Sequence, residues 1–164
     1  LDVTFQLRLG EESLPIGYAE LAKELGVEIG ARVAIIKVRD AVLKLRSAKG
    51  MLIGEGIKSA GSFFMNPILD KQIADELPSD APRWPMSDGR VKTSAAWLME
   101  HAGVSKGDQI AGAQISPKHV LALSNAGDAT AKDLIALAKS AQEKVRAKFG
   151  ITLQTEVQLV GLSL

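Results

Sequence analysis

The first nine residues alternate apolar and polar side chains, and this alternation restricts the possible fold more than any other feature. Val3, Phe5, Leu7 and Leu9 occupy every second position, which is typical of a half-buried β-strand. A strand needs neighbours, because its backbone N–H and C=O groups must form hydrogen bonds. The residues that follow have a helical pattern, so we expect the partner strands to lie outside this chain or far along it. The chain begins with Leu1 rather than Met, as if cut from something longer.

Two helices and a boundary are predicted next. A short helix spans residues 18–25 and is closed by Gly26, and a longer one has apolar residues at spacings of three and four from Ile35 to Leu45. Four glycines then fall between Gly50 and Gly61. We place a domain boundary near residue 50, where the composition changes.

The rest of the chain mixes strands and helices. We predict a helix over residues 94–102, strands over 111–116 and 119–124, a long helix over 130–149 and a final strand over 151–159. These elements follow one another without a regular βαβ order. The sequence therefore predicts an α+β fold.

Charge and composition exclude several classes of function. Lys and Arg total 20 against 19 for Asp and Glu, a net charge of +1, which argues against a nucleic-acid-binding protein but allows a basic pocket for one phosphorylated ligand. The absence of cysteine excludes disulfides, thiolate metal sites and cysteine nucleophiles. Two histidines are too few for a histidine-rich metal site, so we expect no metal. No apolar stretch approaches the ~18 residues of a membrane span.

The most unusual local sequence is Gly61-Ser62-Phe63-Phe64-Met65-Asn66-Pro67. A serine on a glycine-supported loop can present its hydroxyl to a ligand and act as a proton donor. The alternative is an ordinary turn whose two phenylalanines fill the core. A nucleophile elbow is excluded, since the Gly-x-Ser-x-Gly spacing is absent.

Four other polar residues each allow a functional and a structural interpretation. Glu156 is the lone carboxylate of residues 151–161; it is either a proton donor or hydrogen-bond partner among apolar neighbours, or part of a solvated strand face. Lys49 and Lys106 each precede a glycine, as suits phosphate binding, although isolated surface lysines are common. His119 begins an apolar strand, where structural capping is favoured over metal binding.

Beyond these patterns, the ordered motifs of the chain resemble the UDP-N-acetylenolpyruvoylglucosamine reductases, also called UDP-N-acetylmuramate dehydrogenases. The resemblance is to the C-terminal part of that family's enzyme and covers essentially the whole chain. The residues that carry it are 15–21, 46–49, 61–67, 96–100, 106–107, 112–116, His119, Asn125, 127–130, 149–151 and 156–161.

The resemblance implies a flavoenzyme of peptidoglycan precursor synthesis. In the family, NADPH reduces FAD, and the flavin delivers hydride to C3 of the enolpyruvyl group of UDP-N-acetylglucosamine enolpyruvate. Ser62 matches the serine that protonates C2, and Glu156 matches the glutamate that stabilises the developing enolate. The expected location is the cytoplasm.

The resemblance also implies a set of substrate-binding residues. Tyr18, Lys49, Asn66 and Lys106 match the residues that hold the UDP diphosphate, and two ammonium groups, an amide and a phenol suit that ligand chemically. His119 falls where the family has a residue near the uridine.

By the same resemblance, residues 1–50 are the C-terminal remnant of the FAD-binding domain and residues 51–164 are the substrate-binding domain. FAD would be bound mainly by an N-terminal part that this sequence lacks, so we expect the chain alone to be inactive. The alternative is an isolated UDP-sugar-binding module. Two departures from the family pattern are Met65, where many members have lysine, and Gly50-Met51 in place of Leu-Pro.

Overall fold

The computed structural model describes residues 2–52 and 58–164. The chain divides into two compact units, residues 1–52 and residues 53–164. The main hydrophobic core of buried side chains belongs to the second unit. Residues 53–57, which fall within the predicted glycine-rich boundary, lie outside the described part of the chain.

The first unit contains the two predicted helices, α1 (Ala19–Leu25) and α2 (Ile35–Ala48), packed against each other. Both predictions are confirmed. Helix α1 ends at Gly26, whose φ of 68° lies in the left-handed region that glycine adopts without a Cβ clash. Buried Ala22 on α1 and Ala41 on α2 allow the two helices to approach closely.

The predicted opening strand does not form. Residues 2–10 belong to no helix or strand, and Val3, Phe5, Leu7 and Leu9 are 75–104% exposed. The physical reason is pairing: none of the described strands forms hydrogen bonds with this segment. An alternating sequence without a partner strand has no surface on which to bury its apolar face.

Over residues 58–164, the described part of the second unit contains two antiparallel sheets and three helices. A four-stranded sheet has the order β1-β7-β6-β5, a three-stranded sheet has the order β2-β4-β3, and α5 packs against β5, β6 and β7. The α+β prediction is confirmed. The elements are β1 (Lys58–Ser62), β2 (Ile68–Leu69), α3 (Lys71–Asp75), β3 (Arg83–Pro85), β4 (Val91–Thr93), α4 (Ala95–His101), β5 (Gln109–Ile110), β6 (Ala113–Ile115), β7 (Ala122–Asn125) and α5 (Ala131–Phe149).

Helix α5 follows its predicted sequence signals closely. Thr130 accepts a hydrogen bond from the Asp133 N–H and the Asp133 carboxylate accepts one from the Thr130 N–H, which together form a capping box. The Thr130 backbone N–H and its hydroxyl hold the pKa of Asp133 below its ordinary value. Leu137 and Val145 are buried, and the helix ends at Gly150 with φ 69°.

The predicted final strand over residues 151–159 is wrong. This segment makes one isolated bridge, between Thr155 and Phe64. The opposing segment is short because Pro67 follows it closely, and proline has no N–H with which to continue a ladder. Among the helices of the described residues, none is both long and apolar enough to cross a membrane.

Candidate functional site

Ser62 lies at a β-bulge at the end of β1. Ser59 is paired with Ser124 and Ser62 with Ala122, so β1 contains one more residue than β7 over this stretch. The bulge includes Gly61, whose φ of 86° is in the left-handed region. Bulges turn a side chain away from the regular alternation of the strand. Ser62 is half-buried at this position.

The two phenylalanines after Ser62 are core residues, as the structural interpretation predicted. Phe63 and Phe64 are 8% and 1% exposed, and their rings meet edge to face with centroids 5.1 Å apart. The Phe63 N–H also donates to the Leu121 carbonyl at 2.8 Å. Burial of these rings fixes the backbone on which the Ser62 hydroxyl is carried.

The backbone of Glu156 is hydrogen-bonded to this same segment. The Glu156 N–H donates to the Phe63 carbonyl at 2.8 Å, and the Met65 N–H donates to the Gln154 carbonyl at 2.9 Å. On the other side, the Gln142 side chain of α5 donates to the Leu153 carbonyl at 2.7 Å. The fold therefore brings Glu156 next to the Ser62 segment. The Glu156 side chain is exposed, which agrees with a solvated face.

Asn66 connects the same loop to helix α4. Its Oδ1 atom accepts a hydrogen bond of 2.9 Å from the Ala95 N–H in the first turn of the helix. Ser94 caps the helix by accepting from the Trp97 N–H at 3.2 Å. Since an N–H must donate to the amide oxygen, the orientation of the half-buried Asn66 side chain is fixed, and its NH₂ group points away from Ala95.

Lys106 and His119 lie at the same end of the four-stranded sheet as Ser62. Lys106 is in the exposed turn before β5, where the Gly107 N–H donates to the Ile115 carbonyl at the end of β6. His119 is half-buried in the connection that leads into β7, and its carbonyl accepts from the Ala122 N–H. Strands β1 and β5 are opposite edges, so three interstrand spacings, about 14 Å, separate the Ser62 backbone from the Lys106 turn.

Tyr18 and Lys49 belong to the first unit, where they line an open cavity of about 350 Å³. The Lys49 ammonium is 2.6 Å from the Glu20 carboxylate, and Tyr18 is 79% exposed at the beginning of α1. The cavity wall consists of Tyr18, Ala19, Glu20, Leu21, Val42, Leu45, Arg46, Lys49 and Met51.

Two charged residues of this cavity were not predicted as site residues. Arg46 is in the last turn of α2 and Lys49 directly follows the helix, three positions later, and both cations line the cavity. Glu20 follows Tyr18 by two positions. The spacing of the cations was available in the sequence, whereas the approach of Glu20 to Lys49 depends on how the two helices pack.

Chemically, the second unit combines a hydroxyl, a carboxylate and an oriented amide, and the first unit contributes a cavity with two cations. Hydroxyl and carboxyl groups can transfer protons or stabilise charge in a reaction. Cationic side chains with N–H donors bind phosphate oxygens. Among the described residues there is no group of three or more His, Cys, Asp or Glu side chains that could hold a metal ion.

Comparison with known proteins gives a consistent set of relatives. Residues 53–160 match the family described as the C-terminal domain of UDP-N-acetylenolpyruvoylglucosamine reductase. Proteins named UDP-N-acetylenolpyruvoylglucosamine reductase are 49% identical in Cutibacterium acnes, 47% in Thermobifida fusca and 46% in a Mycobacterium species. These similarities cover 99–100% of this chain but 44–49% of the relatives, so the chain spans less than half of their length.

Proposed function

Because the chain belongs to the family of the UDP-N-acetylenolpyruvoylglucosamine reductase C-terminal domain, we propose that it forms the substrate-binding part of such a reductase. The substrate is UDP-N-acetylglucosamine enolpyruvate and the product is UDP-N-acetylmuramate, a precursor of peptidoglycan. The observation that carries the proposal is the hydrogen bond between the Glu156 N–H and the Phe63 carbonyl. This bond joins the backbone of Glu156, the candidate charge-stabilising residue, to the segment that carries Ser62, the candidate proton donor.

The proposed mechanism assigns one step to each of these side chains. When bound, FAD reduced by NADPH would supply the hydride to C3 of the enolpyruvyl group. Negative charge then develops at C2 and on the adjoining carboxylate, and the Ser62 hydroxyl gives its proton to C2. Glu156 stabilises the enolate-like group by donating a hydrogen bond from its carboxyl O–H. The bulge at Gly61 directs the hydroxyl, and the buried phenylalanines keep its backbone in place.

The diphosphate of the substrate is assigned to Tyr18, Lys49, Asn66 and Lys106. The fixed Asn66 amide directs N–H donors rather than its oxygen toward a ligand, which suits a phosphate oxygen. Lys49 is on the wall of a cavity with a second cation, and Lys106 is in an exposed turn. His119 is assigned to the uridine end of the ligand. An extended nucleotide sugar is consistent with the separation between the Ser62 and Lys106 strands.

The residues of this chain fit the substrate side of a flavin reaction rather than the flavin site. The second unit supplies a hydroxyl, a carboxylate and an amide, and no residue of the chain is assigned to FAD. We assign FAD to the remaining part of the family's enzyme and residues 1–50 to the tail of its flavin-binding domain. On this proposal the chain alone is inactive and the complete enzyme acts in the cytoplasm.

A second candidate is a UDP-sugar-binding module without catalysis. The chain covers 44–49% of the relatives, and this part contains all the residues proposed to bind the diphosphate. For the isolated chain, this favours binding without catalysis. Titration of the chain with UDP-N-acetylmuramic acid tests binding by itself. Saturable binding supports both candidates, and its absence contradicts both.

Catalysis is tested by fusing the chain to the N-terminal part of the Cutibacterium acnes relative, which is 49% identical over the shared region. The fusion should oxidise NADPH only when UDP-N-acetylglucosamine enolpyruvate is present. Ser62→Ala should lower kcat by about 10²–10⁴-fold, because the loss removes a positioned proton donor. Ser87→Ala, an exposed serine between β3 and β4, serves as the control. Full activity of Ser62→Ala would contradict the assignment of Ser62 as the proton donor.

A further inference from the structure

The ion pair between Lys49 and Glu20 occupies the cavity in which we assign a diphosphate. The Lys49 Nζ and Glu20 Oε2 atoms are 2.6 Å apart, and both residues are on the cavity wall. A phosphate oxygen that bound the same ammonium at hydrogen-bond distance would compete with this carboxylate for its N–H donors. Glu20 is thus an intramolecular anion at the position that a ligand anion needs.

The exposure of the pair allows this exchange. The side chains of Lys49 and Glu20 are 37% and 56% exposed, so the carboxylate can return to solvent when it is displaced. Ion pairs of this exposure are weak, with typical free energies that correspond to about a two- to five-fold change in an equilibrium constant. Glu20 therefore reduces anion affinity without preventing binding.

The charge of the cavity supports the same exchange. Arg46 and Lys49 are cationic and Glu20 is the acidic residue on the wall. Displacement of Glu20 from Lys49 leaves two cations to face a diphosphate, and apart from Tyr18 the remaining wall residues, such as Leu21, Val42 and Leu45, are apolar. Two cations at this position suit a group with two or three negative charges, such as a diphosphate.

We propose that Glu20 is a built-in competitor, which pairs with Lys49 in the empty cavity and is displaced by the diphosphate of the ligand. This inference rests on the proposed function, because it takes Lys49 as a diphosphate-binding residue. On this proposal Glu20 lowers the affinity for the ligand. Replacement of Glu20 should therefore raise the affinity, whereas replacement of a residue that contacts the ligand should lower it. A residue that merely stabilised the helix pair would weaken binding when replaced.

The test is a calorimetric titration of the full chain with inorganic pyrophosphate. Glu20→Gln should bind it about two- to five-fold more tightly than the unmodified chain, and the difference should shrink as salt screens the charges. The matched control is Glu24→Gln, because Glu24 pairs with Lys44 at 2.6 Å between the same two helices, and neither residue is on the cavity wall. Glu24→Gln should leave pyrophosphate affinity unchanged.

A second comparison separates competition from simple charge repulsion. In a Lys49→Met background, Glu20→Gln should lose most of its effect, because Glu20 acts through the Lys49 ammonium. Unchanged or weaker binding by Glu20→Gln overturns the inference, as does a full gain that persists in Lys49→Met. The inference is also overturned if neither the unmodified chain nor Glu20→Gln binds pyrophosphate.

The proposed function is tested separately in the same series by UDP-N-acetylmuramic acid. If pyrophosphate responds to Glu20→Gln but the nucleotide sugar does not bind, the proposed function fails and the role of Glu20 stands. If the nucleotide sugar binds equally well with Glu20 and Gln at this position, the role of Glu20 fails and the proposed function stands.

Discussion

At the scale of single residues, Asn66 has a structural role and a proposed ligand-binding role, and different substitutions separate the two. Its Oδ1 atom accepts from the Ala95 N–H, which holds the loop against α4, and its NH₂ group is the proposed ligand donor. Alanine removes both groups. Aspartate retains an acceptor for the helix but has no N–H donors and adds a negative charge.

We therefore expect Asn66→Ala to lower the free energy of unfolding by about 1 kcal/mol, as loss of a helix-terminal acceptor does. Asn66→Asp should remain within about 0.5 kcal/mol of the original stability yet bind UDP-N-acetylmuramic acid about tenfold or more weakly, because it repels phosphate. Urea unfolding and calorimetric titration measure the two effects. Unaltered binding by Asn66→Asp would contradict the proposed donor role.

Ala111 offers a second prediction at this scale. It is the one non-glycine residue with positive φ among the described residues, at 49°, in the turn between β5 and β6. Its Cβ atom is close to the following carbonyl in this conformation, at a cost of about 1–2 kcal/mol. Ala111→Gly should raise the free energy of unfolding by about 0.5–1 kcal/mol after the greater entropy of unfolded glycine is subtracted. Equal or lower stability in urea unfolding would refute this.

The neighbouring Gly112 is the control for the same turn. A Cβ atom there would lie 2.5 Å from the Ala129 backbone nitrogen and from the Asp128 side chain. Gly112→Ala should therefore destabilise the protein through this steric overlap. The expected effect at Ala111 has a different cause, the positive φ of its backbone.

At the scale of elements, the beginning of α5 makes stability depend on pH. The Thr130 N–H and hydroxyl donate to the Asp133 carboxylate and hold its pKa below the ordinary value of 3.8. A carboxyl group whose pKa is lower in the folded state stabilises that state above its unfolded pKa, and the contribution disappears as pH falls through the folded pKa. The sensitive range therefore lies below about pH 5.

Asp133→Asn should accordingly be less stable than the original chain near pH 7, and the difference should diminish as the pH falls from about 5 toward 2. Urea unfolding at several pH values measures it. Glu143→Gln, a change in the middle of the same helix, is the control and should not show this convergence. A constant difference between Asp133→Asn and the original chain at all pH values would contradict the capping role.

The elements that the sequence predicted correctly are those with local signals. Thr130 and Gly150 bracket α5 at its two ends, and Gly26 closes α1, because caps depend on residues a few positions apart. The strands over residues 3–9 and 151–159 were predicted from alternation alone. Alternation describes which side chains share a face, but a strand also needs a partner backbone, and that partner is distant in sequence.

In the candidate site, too, local features could be predicted from the sequence and contacts between distant residues could not. The sequence predicted a glycine-supported loop at Ser62, and the structure has a β-bulge there with Gly61 at positive φ. The hydrogen bonds from Glu156 to Phe63 and from Ala95 to Asn66 join residues far apart in the chain, so no local pattern indicated them. The resemblance to a family supplied the pairing of Ser62 with Glu156, which spacing alone could not supply.

At the scale of the whole molecule, the relation between this chain and its longer relatives leads to a spectroscopic prediction. The chain covers 44% of the Cutibacterium acnes relative, and FAD is assigned to the part of the enzyme outside this chain. The purified chain should therefore lack the visible absorption of bound flavin, whereas the fusion to the N-terminal part of that relative should have it. Near-stoichiometric flavin in the isolated chain would contradict the assignment of FAD.

The two units contain different aromatic chromophores. The single tyrosine, Tyr18, belongs to the first unit, and both tryptophans, Trp84 and Trp97, belong to the second. Emission excited selectively at tryptophan wavelengths therefore follows the second unit alone, in which Trp97 stacks on His101 with ring centroids 3.8 Å apart. Tryptophan-selective excitation thus reports binding or unfolding in the second unit without a contribution from the tyrosine of the first unit.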